Sequence, residues 1–182
     1  MRIVVAGTHA SGKSTLIADF HAALPEYLVL PDPFEDLDLD DPASESSFAV
    51  QLRVSASRLL ESAGHAALIA ERGPLDFLAY LVALERLGRS DGALLGRATH
   101  IVEESLPTFE LLAVLPLESG RRIAVPDDED PALREAMDEA LLDLVDDLED
   151  DEHAPRVVFL TGDPQERLHN LLDAVTARPP GS

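Results

Sequence analysis

Five short apolar runs punctuate this chain: RIVVA at 2–6, EYLVL at 26–30, AALIA at 66–70, FELLAVL at 109–115 and RVVFLT at 156–161. Between them lie segments with helical periodicity. Strands that alternate with helices pair in parallel, because each crossover needs a dozen or more residues and lays its helix on a face of the sheet. The expectation is a three-layer α/β domain with a five-stranded, mainly parallel sheet, formed by residues 1–182 as one unit. The spacing predicts helices from Ser14 to about Leu24, Ser47 to about Ser62, Pro74 to a stop at Gly88, and Ser90 or Asp91 to about Glu104. Two more start at Pro131, behind an Asp130 cap, and after the DPQE signal at Asp163. Phe48, Leu52, Ala56 and Leu59 recur three and four apart, and Leu133, Met137, Leu141, Leu144 and Leu148 form one apolar stripe. The acids on the other face of that last helix read as a wet surface, as does the acidic connection from Asp32 to Glu45. The tail at 177–182 reads as loose.

A formal charge of −21 over 182 residues repels a phosphate backbone or an anionic bilayer, and no basic stripe offsets it. Nucleic acid and membrane are therefore excluded as expected partners. The absence of cysteine fits a reducing compartment. The apolar N-terminal stretch is about five residues long, too short for a signal peptide's core or a span. The expectation is a cytoplasmic protein.

Directly after RIVVA comes GTHASGKST, residues 7–15, and it contains Lys13, the only lysine of the chain. Gly7, Gly12, Lys13 and Ser14 satisfy G-x-x-x-x-G-K-[ST], the Walker A pattern, between a predicted strand and a predicted helix. Glycines there let backbone N–H groups wrap around phosphate, and the new helix turns its positive end to the same anion. Residues Gly7, Thr8, His9, Ala10, Ser11, Gly12, Lys13, Ser14 and Thr15 are thus expected to bind a nucleotide's phosphates. Lys13 reaches the terminal phosphates as a mobile point charge and Ser14 offers a hydroxyl to Mg²⁺. A wide planar guanidinium replaces an ammonium poorly in so tight a loop. The His9 side chain itself is given no role. The expected donor is ATP, with GTP left open.

The chain has no N-K-x-D loop to read guanine, no LSGGQ-like signature and no hhhhDE strand, which argues against switch GTPases, transporter ATPases and mechanical ATPases. Short chains with this loop are commonly small-molecule kinases. At the end of the third run stands Glu71-Arg72 in LIAERGPLDFLAYL. This pair resembles the Asp-Arg or Glu-Arg pair of the P-loop nucleoside and nucleotide kinases, the deoxynucleoside and thymidylate kinase group. The longer RGPLDFLAYL is similar to small AAA-labelled ATPase or kinase-like proteins related to nicotinamide riboside kinases. The resemblance implies Glu71 as general base or Mg²⁺-water ligand, and Arg72 as the cation on the acceptor oxygen or transferred phosphate. Asp32-Pro33 stands where these kinases often have Glu-Pro, which implies a second active-site carboxylate.

FAVQLRVSASR resembles the segment in which a glutamine of the deoxynucleoside kinases follows Phe-x-Phe; here Phe48, Val50 and Gln51 occupy those places. Gln51 and Arg58 are the expected substrate contacts, an amide offering one donor and one acceptor to a base edge. The family's mobile lid carries arginines, which implies a short lid near 118–131 with Arg121 and Arg122 on the phosphates. Gly162 and Arg167 fall where the family packs on the donor base. The expected activity is Mg²⁺-dependent phosphorylation of a small, nucleoside-like acceptor, with a homodimer left open. Two alternatives remain at this stage. One is a regulatory NTPase that docks a protein partner through the acidic face of 127–152. The other is a kinase for an antibiotic or a sugar.

Overall fold

A computed structural model of the chain describes residues 1–36, 41, 43–117, 130–148 and 154–177. Its five strands are β1 (Arg2–Ala6), β2 (Leu28–Leu30), β3 (Leu68–Glu71), β4 (Leu111–Val114) and β5 (Arg156–Phe159), all parallel, in the order β2-β3-β1-β4-β5. The helices are α1 (Lys13–Ala23), α2 (Glu45–Glu61), α3 (Pro74–Arg86), α4 (Leu95–Ser105), α5 (Pro131–Asp146) and α6 (Pro164–Thr176). The expected architecture is what forms.

β1 lies at the centre and is enclosed on both sides, so its residues are apolar without alternation. Val4 and Ala6 face a core made with α2, α3, α4 and α5; Ile3 and Val5 face α1 and α6. That gives the three layers. Because every strand runs the same way, all five carboxyl ends open at one edge, where crossovers diverge on either side of β1. Val5 pairs with Glu71 and Ala6 with Val114, so the loop after β1 leaves the sheet level with the ends of β3 and β4.

Three expectations shift. β2 begins at Leu28 because Tyr27 donates its N–H to Leu24 O at 3.2 Å in a turn and packs its ring edge-on against Phe20. α4 begins at Leu95, because Ser90 and Asp91 spend their side chains on the turn before it: Ser90 Oγ accepts from Gly92 N and Asp91 Oδ1 from Ala93 N, both at 3.0 Å. The acidic side of α5 is not wholly wet. Asp138 is buried there, where it accepts a hydrogen bond of 3.1 Å from Leu117 N just beyond β4. Within the Asp32–Glu45 connection, Pro33–Asp36 form a turn of 3-10 helix. Among the described residues, no helix is long and apolar enough to cross a membrane.

Candidate active site

The loop after β1 curls because three of its residues take positive φ: Gly7 at 150°, Ala10 at 51° and Gly12 at 95°. Gly7 has a second constraint. A Cβ there would stand 2.7 Å from Leu115 O and 2.9 Å from Ser11 Oγ, and a backbone oxygen cannot move aside cheaply. Gly7→Ala is expected to destabilise the protein by about 1–3 kcal/mol and to spread the loop, read as a lower urea midpoint together with weaker nucleotide binding.

α1 starts on Gly12 without a side-chain cap and without an acid in its first turn, so its opening N–H groups keep their positive character for an anion. By contrast α2, α5 and α6 are capped by Ser44, Asp130 and Asp163. Lys13 is buried, and its ammonium donates to Gly7 O at 3.0 Å, Thr8 O at 2.6 Å and Ser11 Oγ at 3.5 Å. Burial, followed by the repulsion of Arg72, brings Lys13 down to about 7 against the pull of Asp76, Glu71 and Asp32. Next to it, the exposed Ser14 donates its hydroxyl to Glu71 Oε1 at 2.8 Å. A hydroxyl and a carboxylate side by side are hard oxygen donors of the kind magnesium takes, so this pair fits the ion implied by the loop.

Arg72 follows at a φ of 63°, an uncommon conformation for a side chain of its size. It is buried, with Nε 2.8 Å from Asp32 Oδ2. The Nε–H makes no hydrogen bond to that oxygen or to any other described residue, so the contact is one of charge. The guanidinium also lies 5.9 Å from the Phe77 ring centre and 5.5 Å from that of Tyr80. Burial alone would lower its pKa. Tyr80, Asp32 and Asp76 outweigh burial and leave it above the ordinary arginine value, permanently charged.

Among the described residues, cavities open on both sides of the loop. One, of about 330 Å³, runs along residues 9–15 to Asp32, Phe34, Glu71 and Arg72. The other, about 270 Å³, opens on the far side between Leu117, Arg134, Pro164 and Arg167. Arg134 there donates Nε to His9 O at 3.1 Å, and Arg167 donates a terminal N–H to Ser11 O at 2.8 Å. Sequence reasoning does not single out Arg134; it meets the loop only because α5 lies across it.

The structure thus brings Lys13, Ser14, Asp32, Glu71 and Arg72 into one cleft. Thr15 lies on its rim, exposed, as does His9. Gln51 is 2% exposed, and its Nε2 has no hydrogen-bond partner among the described residues. One turn further along α2, Ser55 lines a narrow crevice with Arg72. Arg58 lines the same crevice and donates to Pro31 O at 3.2 Å, next to Asp32. Arg121 and Arg122 lie outside the described residues. Asp76 and Tyr80 of α3 are the two remaining polar side chains of the sequence motif and were given no role: Asp76 is fully buried, and Tyr80 stacks on Phe48 with ring centres 4.4 Å apart.

Against solved structures, the chain superposes on deoxyadenosine kinase from M. mycoides, solved with the products dCMP and a flexible dCDP, at a TM-score of 0.75. The match covers 96% of this chain and 98% of that one at 14% identity. The chain shares the α/β fold of that enzyme. The dATP-bound form of the same enzyme gives a TM-score of 0.72 at 15% identity, over 97% of this chain and 100% of that one. Thymidylate kinase from Candida albicans gives 0.67 at 17% identity, over 95% and 89%. No protein-family model matches the sequence, and no curated protein does either.

Proposed function

We propose that this chain is a kinase that transfers the terminal phosphoryl group of ATP, with Mg²⁺, to a hydroxyl or phosphate of a small, nucleoside-like acceptor. The observation that carries the reading is the convergence of Lys13, the Ser14–Glu71 pair and Arg72 on one cleft at the carboxyl edge of the sheet. The kinase fold supports it, since M. mycoides deoxyadenosine kinase binds dATP in one of its structures.

In this reading the loop amides and Lys13 hold the donor phosphates, and Arg134 with Arg167 offers guanidinium faces to the donor base beside Pro164. Ser14 and Glu71 would hold the metal ion, which neutralises phosphate oxygens when bound. The acceptor oxygen attacks the terminal phosphorus from the Asp32 and Arg72 side. The bond to the ADP oxygen breaks, and the acceptor proton passes to Glu71, whose Oε1 accepts from the Ser14 hydroxyl. Arg72 neutralises the group in transfer, and Asp32 fixes Arg72. The amide of Gln51, whose Nε2 has no hydrogen-bond partner among the described residues, is the acceptor-recognition group. Arg121 and Arg122, outside the described residues, stay candidates for neutralising the phosphates by their charge alone, on a single-domain cytoplasmic enzyme.

The test is thermal stability with ATP and GTP plus Mg²⁺, then ADP release across a panel of deoxynucleosides, nucleoside monophosphates and nicotinamide riboside. Ligand at 100 times its dissociation constant should add about 2.7 kcal/mol. ADP release that rises with one acceptor, with phosphate recovered on it, is the expected result. Hydrolysis that responds only to a protein would move the assignment to a regulatory NTPase, and the absence of any nucleotide shift would end the kinase reading.

A further inference from the structure

The cleft residues come from loops that leave separate strands, and something must hold those loops at a fixed spacing. Asp76 meets both. One carboxylate oxygen accepts from Gly7 N at 2.8 Å, at the entrance of the loop after β1; the other accepts from Gly73 N at 2.9 Å, in the turn that carries Glu71 and Arg72. It is 0% exposed, so neither oxygen has water to fall back on.

One helical turn later on the same face of α3, the Tyr80 hydroxyl accepts from His9 N at 3.3 Å. Its ring lies under the Arg72 guanidinium and stacks on Phe48 of α2, at an interplanar angle of 8°. Asp76 also lies among the two buried cations, Lys13 and Arg72, and its negative charge acts on both. A buried carboxylate costs several kcal/mol to desolvate, and a core position needs no charge merely to be filled. Its two hydrogen bonds and two cation neighbours are what make the position consistent with a charge.

We infer that Asp76 and Tyr80 are positioning residues for the phosphate loop: through Gly7 N and His9 N, α3 holds the loop at a fixed distance from the Glu71–Arg72 turn. Neither residue touches the reacting atoms. Their effect reaches catalysis through the placement of the loop, and so appears in recognition of the β- and γ-phosphates and not in recognition of the base. The inference rests on the kinase reading of the loop.

The test uses Asp76→Asn, in which an amide N–H must face one of the two backbone donors, and Tyr80→Phe, which keeps the stacked ring and removes the acceptor for His9 N. Dissociation constants are measured for the Mg²⁺ complex of a non-hydrolysable ATP analogue and for AMP, at a temperature where circular dichroism shows each variant fully folded. Affinity for the triphosphate is expected to fall about tenfold in Asp76→Asn and about threefold in Tyr80→Phe, as one hydrogen bond at a charged and at a neutral acceptor implies, while AMP moves by less than about twofold. A merely structural role would lower the melting temperature and leave the two ligands in their original ratio, which overturns the inference. Should Asp76→Asn not fold, Tyr80→Phe decides by the same ratio. If the unaltered protein binds no triphosphate, the phosphate-loop reading falls and this inference with it; if it binds and both variants match it, only the inference falls.

Discussion

Lys13→Met is expected to remove phosphoryl transfer while the fold persists, with kcat lower by at least about 10²–10³-fold, the loss seen when one preorganised transition-state charge partner is deleted. The fold persists because the ammonium is an electrostatic cost to the folded state. Its pKa is about 7 in the protein against 10.5 for the ordinary group. Between those values the unfolded chain binds more protons than the folded one, so the contribution of this group to stability rises with pH across that window. Below about 7 the full cost is present. Methionine fills much of the same volume without it. The melting temperature of Lys13→Met relative to the unaltered protein should therefore be most favourable near about pH 6 and lose that advantage toward about pH 10. Retained turnover, or a stability difference with the opposite slope, would contradict the assignment of Lys13.

Arg72→Ala should fail on both counts. The side chain is 7% exposed and stands against Asp32, with Asp76 as a further negative neighbour. Removing one member of a buried ion pair leaves the other uncompensated, at a cost of about 3–5 kcal/mol. Alanine also inherits the φ of 63°. Arg72→Gly separates these effects: it relieves the backbone, so it should recover about 1 kcal/mol in urea denaturation relative to alanine while activity stays lost. Activity in both variants is expected to drop by about 10³-fold, the scale of an arginine that neutralises a phosphoryl group in transfer. Activity that returned with Arg72→Gly would mean that the arginine serves only to shape the turn.

The curled loop between β1 and α1 was legible because its geometry is local. Gly7, Gly12, Lys13 and Ser14 lie within eight positions, each demanded by a backbone or charge requirement inside that span. That Glu71 and Arg72 stand beside this loop was expected only through likeness to a kinase pair, since nothing in their own spacing says which strand they will stand beside. Gln51 looked like one member of a polar stripe that solvent would equally explain; its burial is a property of α2 packing against α3. The wet face assigned to α5 failed at Asp138 for a related reason: periodicity counts apolar positions, and a carboxylate that closes a bond to Leu117 N carries no apolar signal.

By itself the sequence determined the α/β class, five strands in their places, and a glycine-bearing turn between β1 and α1, because hydrophobic period and glycine conformation act over a few residues. Tertiary structure decided which side chains face that loop. The parallel register sets Val5 level with Glu71, Asp76 reaches back to Gly7 across 69 positions, and Arg134 reaches His9 across 125. Such contacts depend on the order β2-β3-β1-β4-β5 and on which face each helix covers. Those are choices of whole-chain packing, in which the burial of two apolar faces of one sheet outweighs any preference that a single segment carries.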